Sequence, residues 1–169
     1  TVMRLLFVAV GASTLFKNGG DDSTWQYISW CVFFALGMSD VLDGKLARSR
    51  GTITEFGKFL DPVADKFMIG TAMVSLSILG RMPWWMTIMI LTREVGITLF
   101  RLAVIKRGVI PANRGGKIKA MMQGFGVGFF VLPLDESLYW FRDGFMYIAI
   151  ALTIFTGLYY VKSALTNKA

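Results

Sequence analysis

Of 169 residues, 54% are hydrophobic and 14% aromatic, and the mean hydropathy of +0.56 is too apolar for a soluble domain of this size; a polytopic membrane protein is the class that fits. Lys and Arg outnumber Asp and Glu by 18 to 11, and histidine is absent, which removes imidazole acid–base catalysis, His metal ligation and Ser-His-Asp triads. The single Cys31 lies in an apolar run, so a disulfide framework and a cysteine zinc site are excluded as well.

The chain opens TVMRLLFVAVGASTLF, which reads as a first membrane helix whose leading residues precede Thr1, and no cleavage pattern ahead of a soluble domain follows it. Apolar runs at about 3–16, 25–39, 67–80, 82–105, 118–134 and 144–161 predict an all-α protein of six transmembrane helices in a single domain. A span needs roughly 20 residues, so the second and third runs suffice only if their helices continue into the stretch SDVLDGKLARSRGTITEFGKFLDPVADKF, residues 39–67. The carboxylates of that stretch would then stand at the membrane's edge.

Lys45, Arg48, Arg50 and Lys58 cluster in 45–58, and Lys106, Arg107, Arg114, Lys117 and Lys119 in 106–119. The alternate connections are poor in base, with Lys17 beside Asp21 and Asp22, Arg81 alone, and Arg142 among Asp135, Glu136 and Asp143. The positive-inside rule therefore predicts cytoplasmic basic connections and cytoplasmic termini. Trp25, Trp30, Trp84, Trp85 and Trp140 all fall near the expected outer ends, where an aromatic belt sits. Gly124 and Gly128 form a small-xxx-small pair suited to close helix packing.

At helical spacing Asp40, Asp43, Gly44 and Ala47 share one stripe ending at Arg48, and Gly57, Asp61 and Asp65 share another. The intervening SRGTITEF is short enough for a tight turn that sets the two helices side by side, so that the four carboxylates converge. Converging carboxylates repel and become protonated unless cations neutralise them. Oxygen-only ligands favour Mg²⁺ or Mn²⁺, and a metal pair about 4 Å apart is the usual clamp for displacement at phosphorus. Gly44, Gly57 and Ala47 leave a recess through which a nucleotide or phosphate can approach. The bland alternative pairs each Asp with Lys45, Arg48, Lys58 or Lys66 in a solvated loop, but carboxylates at membrane depth are costly and usually functional. Pro62 lacks an N–H, so it either starts the third helix or kinks it.

The pattern D-x-x-D-G-x-x-A-R-(eight residues)-G-x-x-x-D-x-x-x-D is met without a gap by Asp40, Asp43, Gly44, Ala47, Arg48, Gly57, Asp61 and Asp65. In this the chain resembles the CDP-alcohol phosphotransferases. The resemblance implies six membrane helices, a homodimer, two divalent ions (Mg²⁺ or Mn²⁺), and transfer of a phosphatidyl-type group from a CDP-linked donor to an alcohol with release of CMP. It further implies Asp40, Asp43, Asp61 and Asp65 as metal ligands, Asp65 also as general base, and Asp40, Gly44, Ala47, Arg48, Thr54 and Gly57 around the CDP donor; taken alone, Thr54 would read as a helix cap. LTREVGITLFRL at 91–102 and GKIKAMMQ at 116–123 are similar to segments of members that join CDP-diacylglycerol to sn-glycerol 3-phosphate. The family's opening motif ends in a Thr and an Arg at the spacing of Thr1 and Arg4.

Arg93 and Glu94 lie inside the apolar run 84–105. Neighbouring residues on a helix point about 100° apart and are not expected to pair, which favours a functional Arg93. With Lys117, Lys119 and Arg114 it is expected to line a pocket for an anionic acceptor. The resemblance implies CDP-diacylglycerol, glycerol 3-phosphate and membrane lipid as partners, with no nucleic acid, and a bacterial plasma membrane as the place, with the site facing the cytoplasm. Two alternatives stay open: another acceptor such as inositol phosphate, and, outside the family, a divalent-cation transporter.

Overall fold

The computed structural model describes the backbone of residues 2–50, 55–104 and 114–166 and the side chains of residues 6–39, 66–100 and 118–163. These residues are all-α, with α1 Val2–Leu15, α2 Ser23–Arg50, α3 Glu55–Ile78, α4 Trp84–Val104, α5 Arg114–Val131 and α6 Tyr139–Thr166, and no strand among them. Each expected apolar run falls on one of these helices. The second and third do extend into the aspartate stretch, α2 to 28 residues and α3 to 24. Pro62 therefore lies inside α3 and does not start it, and without an N–H it cannot bond the carbonyl one turn back.

Two compact units divide the chain: Thr1–Met82 with Gly128–Leu134, and Pro83–Val127 with Asp135–Ala169. In the first, α1 packs on α2 and α3. Val8, Leu15, Met73, Leu76 and Phe130 are fully buried. Polar contacts join the helices too: buried Ser29 Oγ donates to Trp25 O at 2.8 Å and lies 2.9 Å from Thr14 Oγ1. The connection from α1 to α2 turns through Asn18, Gly19 and Gly20, all at positive φ. Gly20 is required twice over, since its φ is 87° and a Cβ there would stand 2.8 Å from Leu79 Cδ2. Asp22 then caps α2, its Oδ1 accepting from Thr24 N at 2.9 Å, while the Asn18 amide donates to Oδ2 and holds the carboxyl below its ordinary value.

α3 ends in a Schellman motif: Gly80 at φ 69° donates to Ser77 O, and Arg81 N to Leu76 O. By sequence Arg81 stands as the one charge of its connection. Its guanidinium in fact donates to Val131 O at 3.3 Å and Leu132 O at 3.0 Å, satisfying carbonyls that the end of α5 leaves open.

In the second unit α4 packs on α6, with Met86, Ile90, Met146 and Ala149 fully buried and Trp85 stacked on Tyr147 at 6.0 Å. Outward-facing residues are strongly apolar: Trp140 is 75% exposed, Phe155 70%, Leu158 66% and Met121 62%. Buried positions meanwhile include Gln26, Ser29, Thr87, Gln123 and Thr153. Large apolar side chains exposed in such number mark an interaction surface, for a membrane or for another protein. The segment Glu136–Ser163, whose most apolar 18-residue stretch has mean hydropathy 1.7, is the one described helix long and apolar enough to cross a bilayer by itself. Leu6–Leu15, Lys66–Ile78 and Ile118–Val131 are apolar but shorter.

Candidate active site

The helices carry the aspartate motif as its spacing predicts. Asp40, Asp43, Gly44, Ala47 and Arg48 lie on the last turns of α2, and Gly57, Asp61 and Asp65 on the first turns of α3. The i, i+3 and i, i+4 register puts 40, 43, 44 and 47 on one face of α2, and 57, 61 and 65 on one face of α3. The side chains of all these residues, and Thr54 altogether, lie outside the described residues. Lys117 and Arg114 belong to the first turn of α5, and their side chains also lie outside them. Among the described residues no group of acidic, His or Cys side chains could hold a metal.

Arg93 and Lys119 are described, and the structure brings them to one carboxylate. Arg93 Nη1 donates to Glu94 Oε1 at 3.0 Å, and Lys119 Nζ reaches the same oxygen from α5. Side-chain exposure is 18% for Arg93, 14% for Glu94 and 9% for Lys119, so the three charges are largely withdrawn from solvent. The expectation that adjacent Arg93 and Glu94 would not pair is corrected here. The long arginine side chain swings its guanidinium back to its neighbour, a reach that Cβ directions alone do not limit.

α6 completes the seat. Arg93 Nη2 donates to Thr156 Oγ1 at 3.0 Å, and Thr156 in turn donates to Leu152 O at 2.7 Å. Gly157 faces the guanidinium so closely that a Cβ there would stand 3.0 Å from Arg93 Nε. That Nε is buried without a hydrogen-bond partner, as is Thr153 Oγ1 one turn before Gly157. The guanidinium borders a groove of about 350 Å³ between α4 and α6, otherwise apolar and lined by Gly96, Phe100, Ile154 and Leu158 among others. The guanidinium is thus a fixed cation, held by α4 and α6 at the edge of an apolar groove.

A family model described as CDP-alcohol phosphatidyltransferase matches residues 1–155. The chain belongs to that family. It is a transferase, and the resemblance carried by the aspartate motif is borne out. Among curated relatives it is 49% identical over 167 residues to the probable phosphatidylglycerophosphate synthase of Mycobacterium tuberculosis strain H37Rv, covering 99% of this chain and 80% of that protein. It is 35% identical over 133 residues to the CDP-diacylglycerol–glycerol-3-phosphate 3-phosphatidyltransferase of Bacillus subtilis strain 168, covering 76% of this chain and 69% of that protein. The enzyme of the same name from Haemophilus influenzae is 34% identical over 144 residues, covering 82% and 77%.

Sequence reasoning missed three residues of this transferase's cationic cluster. By sequence Glu94 is only a neighbour of Arg93, and Thr156 and Gly157 are part of the sixth apolar run. A signal was present: Thr153 and Thr156 stand three apart with Gly157 beside them, a polar and small patch on one face of an otherwise apolar helix.

Proposed function

We propose that the transferase moves the phosphatidyl group of CDP-diacylglycerol onto a hydroxyl of sn-glycerol 3-phosphate, giving phosphatidylglycerol phosphate and CMP. One observation carries the reading: 49% identity across 99% of the chain to a relative named phosphatidylglycerophosphate synthase. Divergence in acceptor chemistry would be expected to alter the acceptor pocket, and here Arg93 and Lys119 supply the fixed positive charge that a phosphomonoester needs.

Asp40, Asp43, Asp61 and Asp65 fit a site for two divalent ions, Mg²⁺ or Mn²⁺: an all-carboxylate donor set on helical backbone, spaced three and four residues apart. When bound, such ions supply Lewis-acid polarisation of the donor's pyrophosphate and neutralise the charge that develops on departing CMP. Asp65 takes the proton of the acceptor hydroxyl. The hydroxyl oxygen bonds to the donor's β-phosphorus, the phosphoanhydride bond to the cytidylate breaks, and CMP leaves with the electron pair. Gly44, Ala47, Arg48, Thr54 and Gly57 receive the nucleotide, and Arg93, Lys119, Lys117 and Arg114 orient the acceptor's phosphate.

The same reading makes the protein a homodimer embedded in a bacterial plasma membrane, with six spans, cytoplasmic termini and a cytoplasm-facing site. Its support is the many exposed large apolar side chains, together with the tryptophans at the starts of α2, α4 and α6. The donor's acyl chains then stay in lipid while its head group meets the aspartates.

The test is release of CMP from radiolabelled CDP-diacylglycerol in mixed micelles with Mg²⁺, across glycerol 3-phosphate, glycerol, inositol phosphate and inositol. Glycerol 3-phosphate should exceed the others in kcat/KM by at least about tenfold, because a neutral polyol forgoes the charge-assisted contacts of a phosphomonoester and the inositol ring is larger than a three-carbon acceptor. Equal or better turnover with another acceptor would refute the assignment.

A further inference from the structure

We infer that Glu94 is a positioning residue of the acceptor's phosphate subsite, holding Arg93 and Lys119 together as one preorganised cationic pair; the inference rests on the phosphatidyltransferase reading above. A carboxylate is an acceptor only and repels a phosphomonoester, so in an anion pocket its use must be indirect. Glu94 Oε1 receives both Arg93 Nη1, at 3.0 Å, and Lys119 Nζ. Two cations drawn from separate helices thereby sit on a single oxygen, where without the carboxylate they would repel each other in a poorly solvated place. Among the described residues two cations thus meet one anion.

The far side of Arg93 is fixed as well, by Thr156 Oγ1 at 3.0 Å from Nη2 and by Gly157, which leaves no room for a Cβ. Both ends of the guanidinium are therefore spoken for, and its Nε remains unpartnered. Arg and Lys side chains are rich in rotamers, and ordering them at the moment of binding costs affinity that prior ordering saves. Glu94 performs that ordering in the free enzyme. Its effect is thus expected in acceptor affinity, with donor affinity and the chemical step nearly unmoved.

The experiment compares wild-type enzyme with Glu94→Gln and Glu94→Asp in the CMP-release assay, varying glycerol 3-phosphate and CDP-diacylglycerol separately, with folding followed by size exclusion and thermal midpoint. Glu94→Gln should raise the KM for glycerol 3-phosphate about tenfold or more, with kcat and the donor KM within about twofold. Glu94→Asp, which keeps the charge but shortens the reach, should fall between the two. An unchanged acceptor KM overturns the proposal. So does a lowered one, which would make Glu94 a competitor of the phosphate, and so does a fall in kcat with both KM values unchanged. If Glu94→Gln does not fold, Glu94→Asp alone decides by the same split, and failure of both to fold assigns a purely structural role and also overturns it. Failure of the functional reading is seen separately, as a wild-type enzyme that does not use glycerol 3-phosphate.

Discussion

Adding one methyl group at Gly157 tests whether Arg93 must sit where the structure puts it. The new Cβ of Gly157→Ala would stand 3.0 Å from Arg93 Nε, 3.6 Å from Nη2 and 3.7 Å from Cζ. Ordinary contact requires the guanidinium to withdraw by roughly 0.4 Å or more. It is pinned at both ends by hydrogen bonds of 3.0 Å, to Glu94 and to Thr156, so a shift of that size lengthens at least one of them. A hydrogen bond to a charged group is worth about 1.5–3 kcal/mol, and weakening one by about half loses about 1 kcal/mol of orientation. If that loss falls on acceptor binding, the KM for glycerol 3-phosphate rises about fivefold. Helix propensity acts in the opposite sense, because alanine is better than glycine inside α6 by about 0.8–1 kcal/mol. The thermal midpoint should therefore hardly move while acceptor affinity falls. Gly157→Val should push the acceptor KM further, beyond about tenfold, with a lower midpoint. The assay is CMP release against glycerol 3-phosphate at saturating donor, beside thermal unfolding in the same detergent. An Ala variant with wild-type acceptor KM, or one whose donor KM rises equally, would refute the reasoning.

Asp61→Asn and Asp43→Asn should each abolish CMP release while leaving the size-exclusion profile intact, and EDTA should do the same until Mg²⁺ or Mn²⁺ is restored; substantial turnover in EDTA would exclude the divalent site. Arg81→Leu removes the donor to Val131 O and Leu132 O and should cost about 2 kcal/mol, seen as a thermal midpoint lower by about 5 °C, with Arg81→Lys in between and the acceptor KM unchanged. A reporter cysteine placed at Ser49 should be labelled only from the cytoplasmic side and one at Asn18 only from outside, and the opposite pattern would invert the orientation derived from the Lys and Arg distribution.

Local pattern alone determined the helices, the family and the aspartate register. Apolar runs set where each helix lies, and the need for span length correctly carried α2 and α3 into the polar motif, because backbone hydrogen bonds in a helix close within one turn and depend on nearby residues only. The motif was legible for the same reason: its spacing of three, four and four residues is a statement about one face of a helix. Partnerships between distant residues were not legible. No pattern near Arg81 says that its guanidinium closes carbonyls at Val131 and Leu132, 50 and 51 residues away. Nothing local says that Lys119 meets Glu94 or that Thr156 and Gly157 seat Arg93, since these contacts depend on which helix faces which and on how far long side chains bend. Even Arg93 and Glu94, adjacent in the chain, were misjudged from helix geometry, because Cβ direction governs a short side chain while a guanidinium on its flexible stem follows the nearest buried charge. Tertiary structure thus decided which charges meet, and sequence decided which helices carry them.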